Sequence, residues 1–462
     1  MRCRMRFLIL MSLVFGSGSI SSAQSSANLR FEHYVIQTGQ ERIVAELGRF
    51  DVPENHRQPK GKRITLAFVR IKATGRVAGA PILYLAGGPG TSGIADIASP
   101  RFEAYLSLRK FGDVIALDQR GTGSSVPRLD CPQPFAYPAD KAADRASMTS
   151  AYQFLARDCA NYWRKKSVNL ADYNTEASAD DVKALAGALG AKQFRLFGAS
   201  YGTHLGLSII RRHPEIVERA VFGGVEGPDQ TIKLPANVEH HLSDISKLIA
   251  ADPNAGKLFP DFRVFLINLL RELRRRAIIV TPADAKSAAI YLSAIDVQTL
   301  AASFLGRRQT IEQIPKVFGP ASHGDYSAIA ALVPSVRSGN ISAMGAVMDC
   351  ASSVSDKRWR AIRRQAPKTV LSTTMDFPLP EWCAAWGVPR LRNAFRAPLH
   401  TTVPVLFIEG TIDPQTPLQN ALEVRRGFSN SILFTVENAG HDSSMFRSSP
   451  ELLEAILWVH CW

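Results

Sequence analysis

The sequence contains no C-x-x-C pair, no H-E-x-x-H segment and no tight grouping of cysteines with histidines, so the ligand spacings of the common zinc sites are missing. It has no internal repeat and no low-complexity stretch, which excludes solenoids and polar disordered tracts. No apolar run approaches the ~20 residues that cross a bilayer, so stable membrane insertion is not expected. Basic residues cluster between Asp229 and Ala397, as in Arg271 to Arg276 and Lys357 to Arg364, but no nucleic-acid motif accompanies them. They read as solvated helix faces, and no nucleic-acid partner is expected. With 46% hydrophobic and 21% charged residues over 462 positions, the chain has the composition of folded material, long enough for one large α/β domain and an insertion.

What is present starts at the N-terminus. Arg2, Arg4 and Arg6 precede an apolar stretch from Phe7 to Phe15, and Ser21 and Ala23 occupy the −3 and −1 places of a cleavage site. This predicts a signal peptide over residues 1–23 and an exported protein, periplasmic or extracellular. Loss of the three arginines leaves 52 basic against 41 acidic residues, a net charge of +11. Loss of Cys3 leaves Cys131, Cys159, Cys350, Cys383 and Cys461. Export favours disulfides. Nearest-neighbour pairing joins Cys131 to Cys159 and Cys350 to Cys383, one of three connectivities open to four cysteines, with Cys461 left over.

From Arg42 to Ala73 two β-rich runs flank a Pro/Asn/Gly loop, an antiparallel beginning. The pattern then changes. Ala80 to Gly90, Phe111 to Gly123, Phe194 to Gly202 and Arg219 to Pro228 are short continuous apolar runs, each ending in a glycine-rich turn, as buried parallel strands do. Helical patterns lie between them, including Ser178 to Gly190, where Ser178 and Asp181 suggest a capping box and Gly190 a stop. The strand rhythm ceases after Pro228, returns at Val403 to Pro417 and Ser431 to Asp442, and gives way to a last helix from Pro450. The expected architecture is α/β: a mainly parallel central sheet, its core in two parts (residues 24–228 and 398–462), interrupted by a helical lid over residues 229–397.

Ser200 stands between Gly198 and Gly202, where an apolar strand meets a helix. A sharp turn there lifts the middle side chain over the carboxyl edge of the sheet, and side chains two residues to either side would collide. A serine hydroxyl needs a base, and the base needs an acid to hold its tautomer. Asp413 follows one later strand and His441 the next, giving the order Ser, Asp, His expected of an α/β-hydrolase. Asp442 is a poorer acid, because a side chain adjacent to the histidine does not reach round to its far nitrogen. Two amides complete an oxyanion hole: that of Tyr201, after the nucleophile, and one from the glycine loop Ala86 to Gly93, with Gly88 the first choice and Gly87 the second. The loop lacks the Lys-Ser/Thr ending of a phosphate cradle. No metal and no cofactor are required.

The segments "LAGGPGTSG", "DQRGTGSS", "GASYGT", "EGTIDPQTP" and "NAGHD", in this order, resemble the prolyl aminopeptidase and tripeptidyl aminopeptidase group of α/β-hydrolases, serine peptidases that act at peptide N-termini. The early "VPENHRQPKGKRITLAFVRIKA" and the four cysteines resemble its exported, tripeptidyl-aminopeptidase-like branch. The resemblance implies Ser200, Asp413 and His441 as the triad, Asp118 and Arg120 as braces of the glycine loop, and a small peptide as substrate. Ala86 stands where prolyl aminopeptidases carry a histidine, which loosens the prolyl assignment. An aminopeptidase must also bind a free ammonium, and Glu226, at the root of the lid, and Glu381, within it, are candidate carboxylates. Trp382 and Trp386 are candidates for the floor of an apolar pocket. The same triad serves an esterase or amidase acting on a non-peptide substrate, because specificity resides in the lid.

Overall fold

The computed structural model describes residues 28–38, 41–75, 79–99, 106–281, 288–442, 444–447, 452 and 455–456. The expected signal peptide, Cys461 and most of the expected last helix lie outside them.

Among the described residues, one sheet of nine strands organises the molecule. Three antiparallel strands open it: β1 (Arg30–Thr38), β2 (Glu41–Pro53) and β3 (Arg63–Ile71). The expected antiparallel beginning therefore gains an extra strand, β1, which pairs with β2 along its whole length. Then follow β4 (Ile82–Leu85), β5 (Val114–Asp118), β6 (Phe194–Ala199), β7 (Val217–Gly223), β8 (Val405–Gly410) and β9 (Ser431–Val436). The spatial order is β1-β2-β3-β5-β4-β6-β7-β8-β9, parallel from β5 onward. Every residue of β4, β5 and β8 is buried, as continuous apolar runs demand when both faces of a sheet are covered. The edge strand β9 is only half-buried.

The longer helices in the N-terminal part of the core are α1 (Arg145–Lys165), α2 (Thr175–Leu189) and α3 (Tyr201–Arg212). The start of α2 corrects the expected capping box. Asn174 is its N-cap, accepting the Ala177 amide at 3.0 Å, while Ser178 lies inside the helix and Asp181 serves a buried ion pair. Gly190 does end α2, with the left-handed φ of 63° that favours glycine.

Between β7 and β8 the main sheet gains no strand among the described residues. The segment holds α4 (Pro235–Ala251), α5 (Phe262–Arg275), α6 (Ala294–Leu305), α7 (Ala343–Ser352) and α8 (Asp356–Gln365), with short helices and small two-stranded ribbons. Part of it has its own apolar core, including Leu242, Phe262, Leu266, Leu300 and Phe318. Helix α7 behaves differently: Met344, Val347 and Met348 pack in the same cluster as Leu83, Leu85 and Leu196 of the sheet. The two parts are also clamped by Arg337, whose guanidinium meets Asp296 at 2.8 and 2.6 Å and the Pro138 and Lys141 carbonyls at 2.7 Å. The expected cysteine pairs form, Cys131–Cys159 tying the loop after β5 to α1 and Cys350–Cys383 tying α7 to the short helix Cys383–Trp386. Among the described residues no helix is long and apolar enough to cross a membrane.

Cys350 and Cys383 are 33 residues apart, and closing a loop of that length in the unfolded chain stabilises the folded state by about 3–4 kcal/mol. The double replacement Cys350→Ser, Cys383→Ser is expected to lower unfolding free energy by about that amount in urea denaturation. An unchanged midpoint would show that the bridge contributes nothing.

Candidate active site

The turn that carries Ser200 is as tight as the sequence implies. Ser200 adopts φ 54° and ψ −128°, a conformation that costs about 1–3 kcal/mol and persists only where surroundings impose it. They do so through close backbone packing. A Cβ on Gly202 would lie 2.0 Å from the Leu85 carbonyl oxygen, and one on Gly198 would lie 2.8 Å from the Gly202 oxygen. The Ser200 amide donates to Gly223 at 3.0 Å, and Thr203 Oγ1 donates to the Ser200 carbonyl at 2.7 Å.

Two strand-end loops meet this serine. His441 Nε2 lies 2.9 Å from Ser200 Oγ, and His441 Nδ1 lies 2.7 Å from Asp413 Oδ2. With Asp413 ionised, Nδ1–H donates to the carboxylate and Nε2 is left to accept the serine proton. Asp413 is buried, and its other contacts explain how it keeps its charge. Oδ1 accepts the amides of Gln415 and Thr416 at 2.8 and 2.9 Å, and Oδ2 accepts Thr416 Oγ1 at 2.7 Å. Burial pushes this carboxyl up, but His441 and the Thr416 donors outweigh it and hold it below the ordinary range. Thr416 Oγ1 also lies 3.1 Å from His441 Nδ1, so it touches both acid and base. The His441 backbone is anchored by its amide, which donates to the Gly306 carbonyl at 2.6 Å.

One layer behind, Glu409 on β8 is fully buried and accepts the Val225 amide at 2.7 Å. Burial, reinforced by the nearby Asp413 charge, raises its carboxyl well above the usual value, so it is the neutral member of the two carboxyls.

A cavity of about 320 Å³ opens over the serine, lined by Gly87, Gly88, Ser200, Arg307, Gln415 and His441 among others. Gly88 has φ 110°, accessible to glycine, and a Cβ on Gly87 would sit 3.2 Å from Ser200 Cβ, so the glycine loop approaches the nucleophile closely. Tyr201 opens α3, where the first amides have no intrahelical acceptor. Its ring points into the core, with its hydroxyl 3.2 Å from Thr175 Oγ1.

The other expected residues are dispersed. Asp118 does brace the end of the glycine loop, accepting Ser92 Oγ at 2.6 Å and the amide of Ile94, just after the loop, at 3.0 Å. Arg120 does not: it is buried against Asp181, with two contacts of 2.7 Å, and against the Glu54 and Asp172 carbonyls. Glu381 ion-pairs with Arg145 of α1 and is not among the residues lining the cavity. Trp382 and Trp386 pack edge to face in the core. Asp442 lines the cavity while His441 turns to Asp413.

Glu226 lies just behind the turn, its amide donating to Thr203 Oγ1 at 2.8 Å. Its Oε1 is buried with no hydrogen-bond partner among the described residues, 3.9 Å from His204 Nδ1. Sequence reasoning missed its neighbour on α7, Asp349, whose carboxyl is pushed well up by burial and by the Glu226 charge. Lys233 is the local cation, 3.3 Å from Asp376, and these two with Glu226 and Asp349 form one interacting group. Thr416 was also missed, though its place three residues after Asp413 in a Pro-flanked turn is visible in the sequence.

The TAP-like protein family matches residues 372–455. Tripeptidyl aminopeptidase of Streptomyces coelicolor is 28% identical over 439 residues, spanning 86% of this chain and 77% of that protein. The putative hydrolase YuaR of Escherichia coli is 25% identical over 423 residues, 85% of this chain and 80% of its own length. Serine protease Hip1 of Mycobacterium tuberculosis is 29% identical over 195 residues, 39% of this chain and 36% of that protein. With the sheet and the Ser200 turn described above, they place the chain as a serine hydrolase of the α/β-hydrolase fold. Within that class, residues 372–455 are similar to the TAP-like family.

Thr416→Val, which keeps the shape and removes the donor, is expected to lower kcat on any accepted substrate about 10- to 100-fold, with KM little changed. Steady-state kinetics would check this, and an unaltered kcat would remove Thr416 from the relay. Glu409 generates a pH prediction. A carboxyl whose folded pKa is raised gives stability that is complete below its ordinary pKa of about 4.3 and declines as pH rises toward the folded value. Glu409→Gln keeps the acceptor for Val225 without the charge. Its stability relative to wild type should therefore improve steadily as pH rises above about 4, measured by urea unfolding at several pH values. A pH-independent difference would contradict this.

Proposed function

We propose that the chain is an exported serine peptidase that releases one or a few residues from the N-termini of short peptides. The carrying observation is the 2.9 and 2.7 Å relay from Ser200 through His441 to Asp413, set over a cavity beside a glycine loop. In this reading Ser200 Oγ attacks the scissile carbonyl as His441 Nε2 takes its proton. The amides of Tyr201 and Gly88, with Gly87 as the alternative, stabilise the oxyanion. His441 then protonates the departing amine, leaving an acyl-enzyme on Ser200. Water activated by the same imidazole cleaves the ester, and Asp413 keeps the tautomer fixed throughout. No step calls on a metal or cofactor.

Restriction to N-termini requires a site for the free ammonium. Glu226, whose Oε1 is buried behind the nucleophile without a hydrogen-bond partner among the described residues, with Asp349 beside it, is the carboxylate we assign to it, whereas Glu381 is committed to Arg145. Residues 229–397 act as the lid that closes the cavity. The named activities of the tripeptidyl aminopeptidase and serine protease relatives support peptide substrates, and two disulfides support export.

The test is a panel of fluorogenic amides bearing free-amine Pro, Ala, Leu and tripeptidyl groups, each beside its N-blocked twin and a simple ester. Turnover of the free-amine amides, loss of at least 10³-fold in kcat on Ser200→Ala, and a rise in KM on Glu226→Gln are expected. Ester cleavage without amide turnover would replace the peptidase reading with an esterase.

A further inference from the structure

The peptidase reading leaves one charged group in the cavity without a task. Arg307 lines it together with Ser200 and His441, is exposed, and forms no ion pair or side-chain hydrogen bond among the described residues. Its backbone, in contrast, is fixed. The Arg307 carbonyl caps a short helix, accepting the Ile311 amide at 2.9 Å and Thr310 Oγ1 at 2.8 Å. The preceding residue, Gly306, accepts the His441 amide, and a Cβ on Gly440 would lie 3.2 Å from Arg307 Cα. The arginine is therefore built onto the loop that carries the imidazole.

That position decides which part of a substrate it meets. The tetrahedral centre on Ser200 directs its oxyanion toward the glycine loop and its departing nitrogen toward His441 Nε2, the proton donor. The leaving group must pass His441, and Arg307 and Gln415 line the same cavity as the imidazole, with Gln415 Nε2 3.2 Å from a Cβ placed on Gly306, whose carbonyl holds the His441 amide. Of the cavity's two carboxylates, Asp96 accepts the Tyr84 hydroxyl at 2.9 Å, and Asp442 lies in the lining next to His441. A guanidinium at a leaving-group exit matches a carboxylate in a planar, two-pronged fashion. A volume of about 320 Å³ is at the small end for a ligand site and favours a short leaving group.

We propose that Arg307 binds the free C-terminal carboxylate of the leaving fragment, and that the substrates are short peptides carrying a free C-terminus. The inference rests on the peptidase reading and adds recognition of the second end of the chain. It makes Arg307 a specificity residue, separate from the acid, base and nucleophile.

The experiment measures kcat/KM for the full chain on three substrates: tetra-alanine with a free C-terminus, its C-terminal amide, and tri-alanyl p-nitroanilide, which has no carboxylate. Wild type is expected to prefer the free acid over the amide by about tenfold, the ratio a charge-assisted contact of this kind supports. Arg307→Lys should retain part of that preference, Arg307→Ala should bring the ratio near one, and Arg307→Glu should reverse it. A reversed ratio is not produced by misfolding, which lowers both rates together. If wild type cleaves acid and amide equally while turning over the anilide, the proposal fails and the aminopeptidase reading stands. If none of the three is cleaved, both fail.

Discussion

Backbone meets backbone where α3 begins against the end of β4. With no side chain at Gly202, the helix start comes so near the Leu85 carbonyl that even a methyl group would occupy the same space. Everything about the nucleophile follows from that contact. It forces the strand-to-helix turn, imposes the left-handed φ on Ser200, and brings the glycine loop after β4 beside the hydroxyl. The strain in the turn is held by burial on both sides, because β4 is wholly buried and β6 nearly so. A catalytic serine here is a product of sheet packing as much as of sequence choice.

Electrostatics divides the site into two zones of opposite habit. Around Asp413 each carboxylate oxygen has donors, so a buried charge is kept. Around Glu409 there is one donor, the Val225 amide, and a second oxygen left without a partner among the described residues, so the proton stays. The two carboxyls face the same neighbourhood but differ in hydrogen-bond supply, and that difference assigns the charge to the one that touches His441. Glu226 and Asp349 form a further pair whose mutual repulsion is relieved only partly by Lys233.

Much of this was readable from local pattern. Continuous apolar runs ending in glycine located β4, β5, β6, β7, β8 and β9, because a strand covered on both faces leaves no room for polar alternation. Ser200, Asp413 and His441 could be picked out because each follows such a run, and the structure brings the three within hydrogen-bonding distance. Residues whose roles depend on distant partners were not readable. Arg120 reaches Asp181 rather than the adjacent loop, and Glu381 finds Arg145, 236 positions earlier. Asn174 caps α2 in place of Ser178 because the helix starts a turn sooner than its apolar spacing suggests. Asp349 sits within an apolar helix, and nothing nearby in the chain indicates that Glu226 lies next to it.

The hydrogen bond from the His441 amide to the Gly306 carbonyl has a consequence for modularity. Gly306 belongs to the helical segment between β7 and β8, whereas His441 belongs to the last loop of the sheet. The base is thus seated partly on the inserted segment. Such an insertion is not an interchangeable cover: exchanging it for that of a relative would remove a support of the imidazole along with the substrate walls. New specificities are then more readily reached by point changes within the existing segment than by wholesale replacement, so the insertion and the chemistry are constrained to evolve as one unit.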